Sequence, residues 1–173
     1  MLPELEAHRQ LLEKWNRKLN LTSEESIERN YGESLFLAEH LPAGVFRIID
    51  IGSGAGFPGF PVAIVRKECE VTLLEAHQRK AVFLKEASRG IPNLRVLAKR
   101  AEDLMEEFDW GISRGVSYSD LEKNLSRLAR HAALLTGIEP PPVTVGFLWN
   151  EAIPLPGSRQ RFLRVSRETS RES

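Results

Sequence analysis

The chain has 173 residues, 24 of them basic and 24 acidic, so its formal net charge is zero. That length suits one domain with a sizeable core, and the charge balance gives no global ground for a nucleic-acid partner; any such surface must be local. Cys69 is the one cysteine, which excludes an intrachain disulfide and a zinc cluster, and no apolar run approaches the ~20 residues of a membrane span.

Residues 3–19 read as an amphipathic helix, with Leu5, Leu12, Trp15 and Leu19 at helical spacing and Glu4, Glu13, Lys14 and Lys18 outside that stripe. Thr22-Ser-Glu-Glu25 offers a capping box for a second helix, whose apolar face is Ile27, Tyr31, Leu35 and Ala38 and which Pro42 and Gly44 stop. From residue 45 short strands and helices alternate. Strands are expected near 46–51, 70–75, 94–98 and 108–113, and helices near 58–67, 77–89, 100–106 and 119–129. Such alternation predicts a parallel sheet covered on both faces. Residues 131–136 read as a fifth strand, and Glu139-Pro-Pro-Pro142 cannot be helical. Residues 143–149 and 160–165 resemble two more strands around the turn-forming Pro154–Ser158, which gives the sheet an antiparallel edge. The organisation expected over 1–173 is a helical extension (1–44), an α/β core (45–137) and a short C-terminal hairpin and tail (138–173).

The most informative segment is Ile48-Ile-Asp-Ile-Gly-Ser-Gly-Ala-Gly-Phe-Pro-Gly59. A β-branched run ends in Asp50, glycines follow, and helix-forming residues come next: a strand, a tight turn and a helix start. A P-loop needs Lys-Ser or Lys-Thr after its last glycine, and none follows here. A dinucleotide fingerprint fits Gly54, Gly56 and Gly59 only with Pro58 inside the turn. Asp50, Gly52, Gly54 and Gly56 fit an S-adenosylmethionine loop without strain. Glu75 ends the second strand, where a carboxylate accepts ribose hydroxyls in adenosine-binding units of either kind. In an open parallel sheet the strand ends share one crevice, so the glycine loop, Glu75, Ala101-Glu102 and Ser113-Arg114 are expected to converge.

With these segments in place, the sequence resembles the bacterial small-subunit ribosomal RNA methyltransferase G family, also called glucose-inhibited division protein B. The stretches that carry the likeness are Trp15-Asn16 with Leu19-Asn-Leu-Thr22, Asp50 to Pro61, Leu74-Glu75 with Arg79-Lys80 and Phe83-Leu84, Arg100-Ala-Glu102, Phe108-Asp109 and Ser113-Arg114. The resemblance implies a Rossmann-like methyltransferase sheet and S-adenosylmethionine-dependent methylation of a guanine N7 in 16S ribosomal RNA. It also implies that Gly52 and Phe57 border the cofactor within the loop that includes Ser53, Gly54 and Gly56. Glu75 would take its ribose and Ala101-Glu102 its adenine, with Arg114 beside both cofactor and methyl-transfer site. His8, His40, His77 and His131 read as structural or exposed.

The chain departs from the family pattern in places. Asn30 and Glu33 stand for His and Asp in the second helix, Gly115 for Ala after Ser113-Arg114, and Thr136 for Lys at the end of the fifth strand. The region beyond that strand reads as shortened. A cofactor-binding protein without RNA turnover is therefore a second expectation, and a nicotinamide oxidoreductase a third, although no Tyr–Lys or His arrangement supports it. Candidate RNA-contacting cations are Arg159, Arg161, Arg164, Arg167 and Arg171, with Arg66-Lys67, Arg79-Lys80 and Lys99-Arg100. The expected partner is 16S ribosomal RNA or the small subunit, without metal or membrane. The N-terminus lacks the basic-then-apolar order of a secretion signal, so a cytoplasmic protein is expected, and with no obvious coiled-coil seam, a monomer.

Overall fold

The computed structural model describes residues 1–139 and 146–167. Seven strands pair in the order β3-β2-β1-β4-β5-β7-β6. In chain order the elements are α1 (Pro3–Asn16), α2 (Ile27–His40), β1 (Arg47–Ile51), α3 (Gly59–Val65), β2 (Glu70–Leu74), α4 (Gln78–Ala87) and β3 (Leu94–Leu97). Then come β4 (Phe108–Arg114), α5 (Tyr118–Glu122), α6 (Leu125–Leu128), β5 (Ala129–Thr136), β6 (Ile153–Pro154) and β7 (Phe162–Val165). Strands β1 to β5 are parallel, and β7 runs antiparallel to both β5 and β6.

Both sheet faces are covered, which is why β1 carries isoleucines toward both, Ile48 toward one and Ile49 and Ile51 toward the other. Ile48 packs with Leu5, Leu12, Ile27, Phe60, Phe83 and Leu84 of the α1–α4 layer. Its neighbours Ile49 and Ile51 face the opposite cluster, with Phe108, Leu121, Leu125 and Leu128. Among the described residues no helix is long and apolar enough to cross a membrane.

Asp50 lies on the α3 side of β1, fully buried, and its Oδ2 accepts the Gly59 N–H at 2.9 Å. This bond fixes the first turn of α3 against the strand. The approach is tight: a Cβ at residue 59 would lie 2.3 Å from Leu73 Cδ2 and 2.6 Å from Asp50 Oδ2. Burial raises the Asp50 carboxyl to about 8, the bonds from Gly59 and Ser53 opposing and the Glu75 charge adding to the rise.

Several boundaries differ from the sequence expectation for local reasons. Helix α1 stops at Asn16, not 19, because the Asn16 side chain closes the next turn, accepting Leu21 and Thr22 N–H and donating to Thr22 O. The capping box does not form. Instead Thr22 Oγ1 accepts the Asn30 side chain at 3.1 Å, and a 3-10 turn at Glu24–Ser26 leads into α2. The helix expected near 100–106 is only the 3-10 turn Ala101–Asp103, since the Arg127 guanidinium takes the carbonyls of Ala101 and Leu104. The helix expected over 119–129 is two short ones, because Ala129 is drawn into β5 opposite Phe108. Residues 143–145 of the expected sixth strand lie outside the described residues. Trp149 makes only an isolated bridge to Ser166, and the partner of β7 is Ile153–Pro154, with the proline at the sheet edge.

Two stability measurements follow from the Asp50–Gly59 contact. Gly59→Ala should lower stability by about 1–3 kcal/mol or more, read by denaturant unfolding; a neutral result would mean that the contact relaxes freely. For Asp50, the folded value near 8 lies above the ordinary 3.8, so between pH 4 and pH 8 the unfolded chain releases a proton that the native state keeps. Native stability therefore falls with rising pH across that window, and Asp50→Asn removes the fall. The stability of Asp50→Asn relative to the parent should rise from pH 4 to pH 8; a difference independent of pH would contradict the buried, protonated carboxyl.

Candidate active site

The loop after β1 is shaped by what abuts it. Gly52 has φ +73°, and a Cβ there would come within 2.9 Å of Val116 Cγ2, so a side chain at 52 is opposed by both backbone and neighbour. Its amides turn inward to acceptors within the protein. The N–H groups of Gly52 and Ser53 donate to Leu74 O at 2.9 and 3.0 Å, Gly54 N–H to Glu75 Oε1 at 2.8 Å, and Gly56 N–H to Ser53 O at 2.8 Å. The β1–β2 ladder in effect continues past the end of β1 and consumes the donors.

Glu75 is the organising side chain. Its Oε1 holds Gly54, and its Oε2 accepts the N–H of His77 at 2.9 Å, where α4 begins. A carboxylate has about four acceptor positions, so lone pairs remain for further donors.

A cavity of about 310 Å³ opens beside this carboxylate, lined by Gly52, Leu74, Glu75, Lys99, Ala101, Glu102, Val116 and Asn124, among others. That is within the range of about 300–1,000 Å³ for small-molecule sites. On the other side of Val116 lies a second cavity of about 460 Å³, lined by Gly115, Tyr118, Thr136, Gly137 and Arg161 as well as Val116. Val116 is thus a wall common to both.

Of the residues expected at the site, Gly52, Glu75, Ala101 and Glu102 come together on the first cavity. Ser53 is buried, with Oγ donating to Asp50 O at 3.1 Å, and Gly54 and Gly56 shape the turn. Phe57 is placed elsewhere: its ring is buried in the helical layer, edge-on to Tyr31 at 4.8 Å and to His8 at 5.5 Å. Arg114 ends β4, and its Nε donates to Glu33 Oε2 at 3.2 Å. Arg161 binds the same carboxylate twice, at 2.7 and 2.9 Å, and Arg29 lies 4.0 Å away. Burial works against the Glu33 charge, but Arg161 and Arg114 outweigh it and hold the carboxyl below its usual range. Burial in turn pulls Arg114 down, with Glu33 opposing.

His8, read from sequence as structural or exposed, is structural and packs behind the glycine loop. Its signal was present: residues 5, 8, 12 and 15 form a helical stripe in which a histidine takes one turn. The imidazole is 1% exposed and stacks on Phe60 at 4.3 Å. Nε2–H donates to Ala55 O at 2.9 Å, so Nδ1 is the acceptor and takes the Tyr31 O–H. Burial lowers its pKa to about 4, the Ala55 bond opposing, and the ring stays neutral. The glycine loop is therefore held from behind by α1 and α2. Among the described residues no cluster of three or more His, Cys, Asp or Glu could hold a metal ion.

Known proteins match both sequence and fold. The family model of rRNA small subunit methyltransferase G, GidB, matches residues 1–135. Ribosomal RNA small subunit methyltransferase G of Nitrosomonas europaea is 42% identical over 130 residues, covering 70% of this chain and 58% of that protein. The protein of the same name from Chromobacterium violaceum is 38% identical over 135 residues, covering 73% and 63%. The matched segment therefore spans somewhat more than half of these relatives. Among solved structures, a SAM dependent methyltransferase from Aquifex aeolicus superposes with a TM-score of 0.58 at 16% identity, covering 94% of this chain and 97% of that one. The Methanococcus jannaschii fibrillarin pre-rRNA processing protein gives 0.61 at 15%, covering 79% and 74%. The fold is thus shared with these structures, and on sequence the chain belongs to the GidB family, rRNA small subunit methyltransferase G.

Proposed function

We propose that this chain transfers a methyl group from S-adenosylmethionine to N7 of a guanine in 16S ribosomal RNA. The observation that carries this is the pair of cavities divided by Val116, one with the Glu75 carboxylate and the Gly52 backbone, the other beside the Arg114–Glu33–Arg161 cluster. Cofactor and acceptor base would each have a compartment, with Val116 lining both.

The residues of the first cavity suit an adenosine ligand. Glu75 keeps lone pairs for ribose hydroxyls, and Ala101 and Glu102, which the family resemblance assigns to the adenine, line the same cavity. A dinucleotide is less well served. The amides of Gly52, Ser53, Gly54, Gly56 and Gly59 are all donated within the protein, and none of these is left to cradle a pyrophosphate.

When bound, S-adenosylmethionine supplies a methyl group already activated by the sulfonium charge. Guanine N7 carries a free lone pair, so the chain need not provide a base, and neither His nor Cys is among the cavity linings. What the protein contributes is placement: Glu75 and the loop fix the donor side, and Glu33 holds Arg114, which the family resemblance assigns to the methyl-transfer site, together with Arg161, which lines the second cavity. Holding reactants in line is worth roughly 7–11 kcal/mol in favourable cases. Thr136 stands where the family pattern has a lysine, and two guanidinium groups lie near it. Arg164 Nε donates to Thr136 Oγ1 at 3.1 Å, and Arg161 lines the same cavity. Membership of the methyltransferase family favours turnover over a purely binding role.

The primary test is transfer of labelled methyl to unmodified 16S RNA or small subunits. Arg114→Ala should lower the rate at least tenfold; no transfer by the unaltered chain to either substrate would count against the assignment. Glu75→Ala removes a charged acceptor, worth about 1.5–3 kcal/mol per hydrogen bond, and should weaken S-adenosylhomocysteine binding by roughly 10- to 100-fold in calorimetry. Unchanged affinity would remove Glu75 from the cofactor site.

A further inference from the structure

A third cavity, of about 490 Å³, lies outside the two described above, between the end of α1 and the outer face of α4. Lys14, Trp15 and Lys18 form one wall, and Arg79, Val82 and Glu86, spaced by three and four residues along α4, form the other. Among the described residues Lys14, Lys18 and Arg79 make no ion pair or hydrogen bond through their side chains. The one acid, Glu86, is committed to the Trp15 indole, whose Nε1–H it accepts at 3.0 Å. Val82 leaves 54% of its surface in solvent on the floor of this groove.

Three of the other cations that the sequence offered are held by the protein itself. Arg66 donates to the carbonyls of Ala38, Leu41 and Pro42, Arg161 is paired with Glu33, and Arg164 is bound to Thr136 and Ile138. In a chain of zero net charge, three cations against the one acid Glu86 leave a local excess of positive charge around an apolar floor. Cations interleaved with an aromatic ring are what a nucleic-acid strand needs, phosphates on the former and a base on the latter. The position fits too. Helix α4 starts at the carboxyl end of β2, directly after Glu75 and His77, so Arg79 stands at the rim of the active-site crevice and the groove leads away from it along α4.

We propose that this α1–α4 groove is a second docking site for the RNA substrate, holding phosphodiester backbone that flanks the target nucleotide on Lys14, Lys18 and Arg79, with a base against Trp15 and Val82. It rests on ribosomal RNA being the substrate and adds the surface that engages RNA away from the methylated base.

The triple variant Lys14→Gln, Lys18→Gln, Arg79→Gln changes only exposed side chains and leaves Trp15 and Glu86 in place. Binding of the full chain and of the variant to protein-free, unmodified 16S RNA is measured between 50 and 300 mM salt, with S-adenosylhomocysteine affinity as the control for an intact fold. Each lost phosphate contact lowers the slope of log K against log salt by about 0.7–0.9, so the variant should lose roughly 2 from the slope and at least tenfold in affinity at low salt. Its cofactor affinity should be unchanged. Equal slopes and affinities for the two proteins overturn the groove, whatever the methylation assay gives. Weaker binding of the variant to small subunits with unchanged binding to protein-free RNA also overturns it, since the occupant would then be a protein. Methyl transfer by the unaltered chain is scored separately. Its absence alongside groove-dependent RNA binding would fail the proposed reaction and leave the groove standing.

Discussion

The candidate site depends on one carboxylate that holds two backbone segments at once. Glu75 receives the Gly54 N–H on one oxygen and the His77 N–H on the other, so the turn after β1 and the start of α4 are referenced to the same rigid group. A carboxylate bonded at both oxygens to main chain has little freedom to turn. Its unused lone pairs therefore keep a fixed direction, and any ligand that bonds to them inherits that direction. Asp50 does the equivalent work one layer down, where it ties α3 to β1. Two acids at the ends of adjacent strands thus set the geometry that a glycine pattern alone only permits.

The sequence made the sheet legible because its signals are local. Apolar runs such as Ile48–Ile51 and Val71–Leu74, and the helical stretches between them, declare parallel strands with crossovers. What it could not show were the places where a distant side chain overrides a local preference. Arg127 removes the carbonyls that a helix at 100–106 would need, and Asn16 ends α1 early. Neither partner is visible from the segment it alters. The same limit applies to the site. Gly52, Glu75, Ala101 and Glu102 announce themselves by type and spacing and meet on one cavity. Phe57 belongs to the same motif, yet its ring turns into the helical layer, because Tyr31 and His8 offer it an aromatic pocket. The inward turn of the loop amides is likewise decided by Leu74 O and Glu75, which lie far away in sequence.

Charge in this chain is distributed with a division of labour that composition conceals. Glu33, nearly buried, gathers Arg114 and Arg161 from β4 and the segment before β7, and so joins α2 to the far half of the sheet. Buried arrangements of this kind contribute little net stability, because desolvation offsets much of the attraction. Their value is orientation: a guanidinium at the mouth of a cavity is held in one pose. Arg66 has a comparable but purely structural task, closing the link between α2 and β1.

The neutral imidazole of His8 has a wider consequence. Through Tyr31 on one nitrogen and Ala55 on the other, it makes a three-part strut between two helices and the loop they shelter. Those helices precede the sheet in the chain and belong to none of its crossovers. Yet the loop has its rear support only while they stay docked, so their docking equilibrium and ligand affinity are thermodynamically linked. Whatever occupies the front of the loop should tighten the helices behind it, and whatever loosens the helices should be felt at the front.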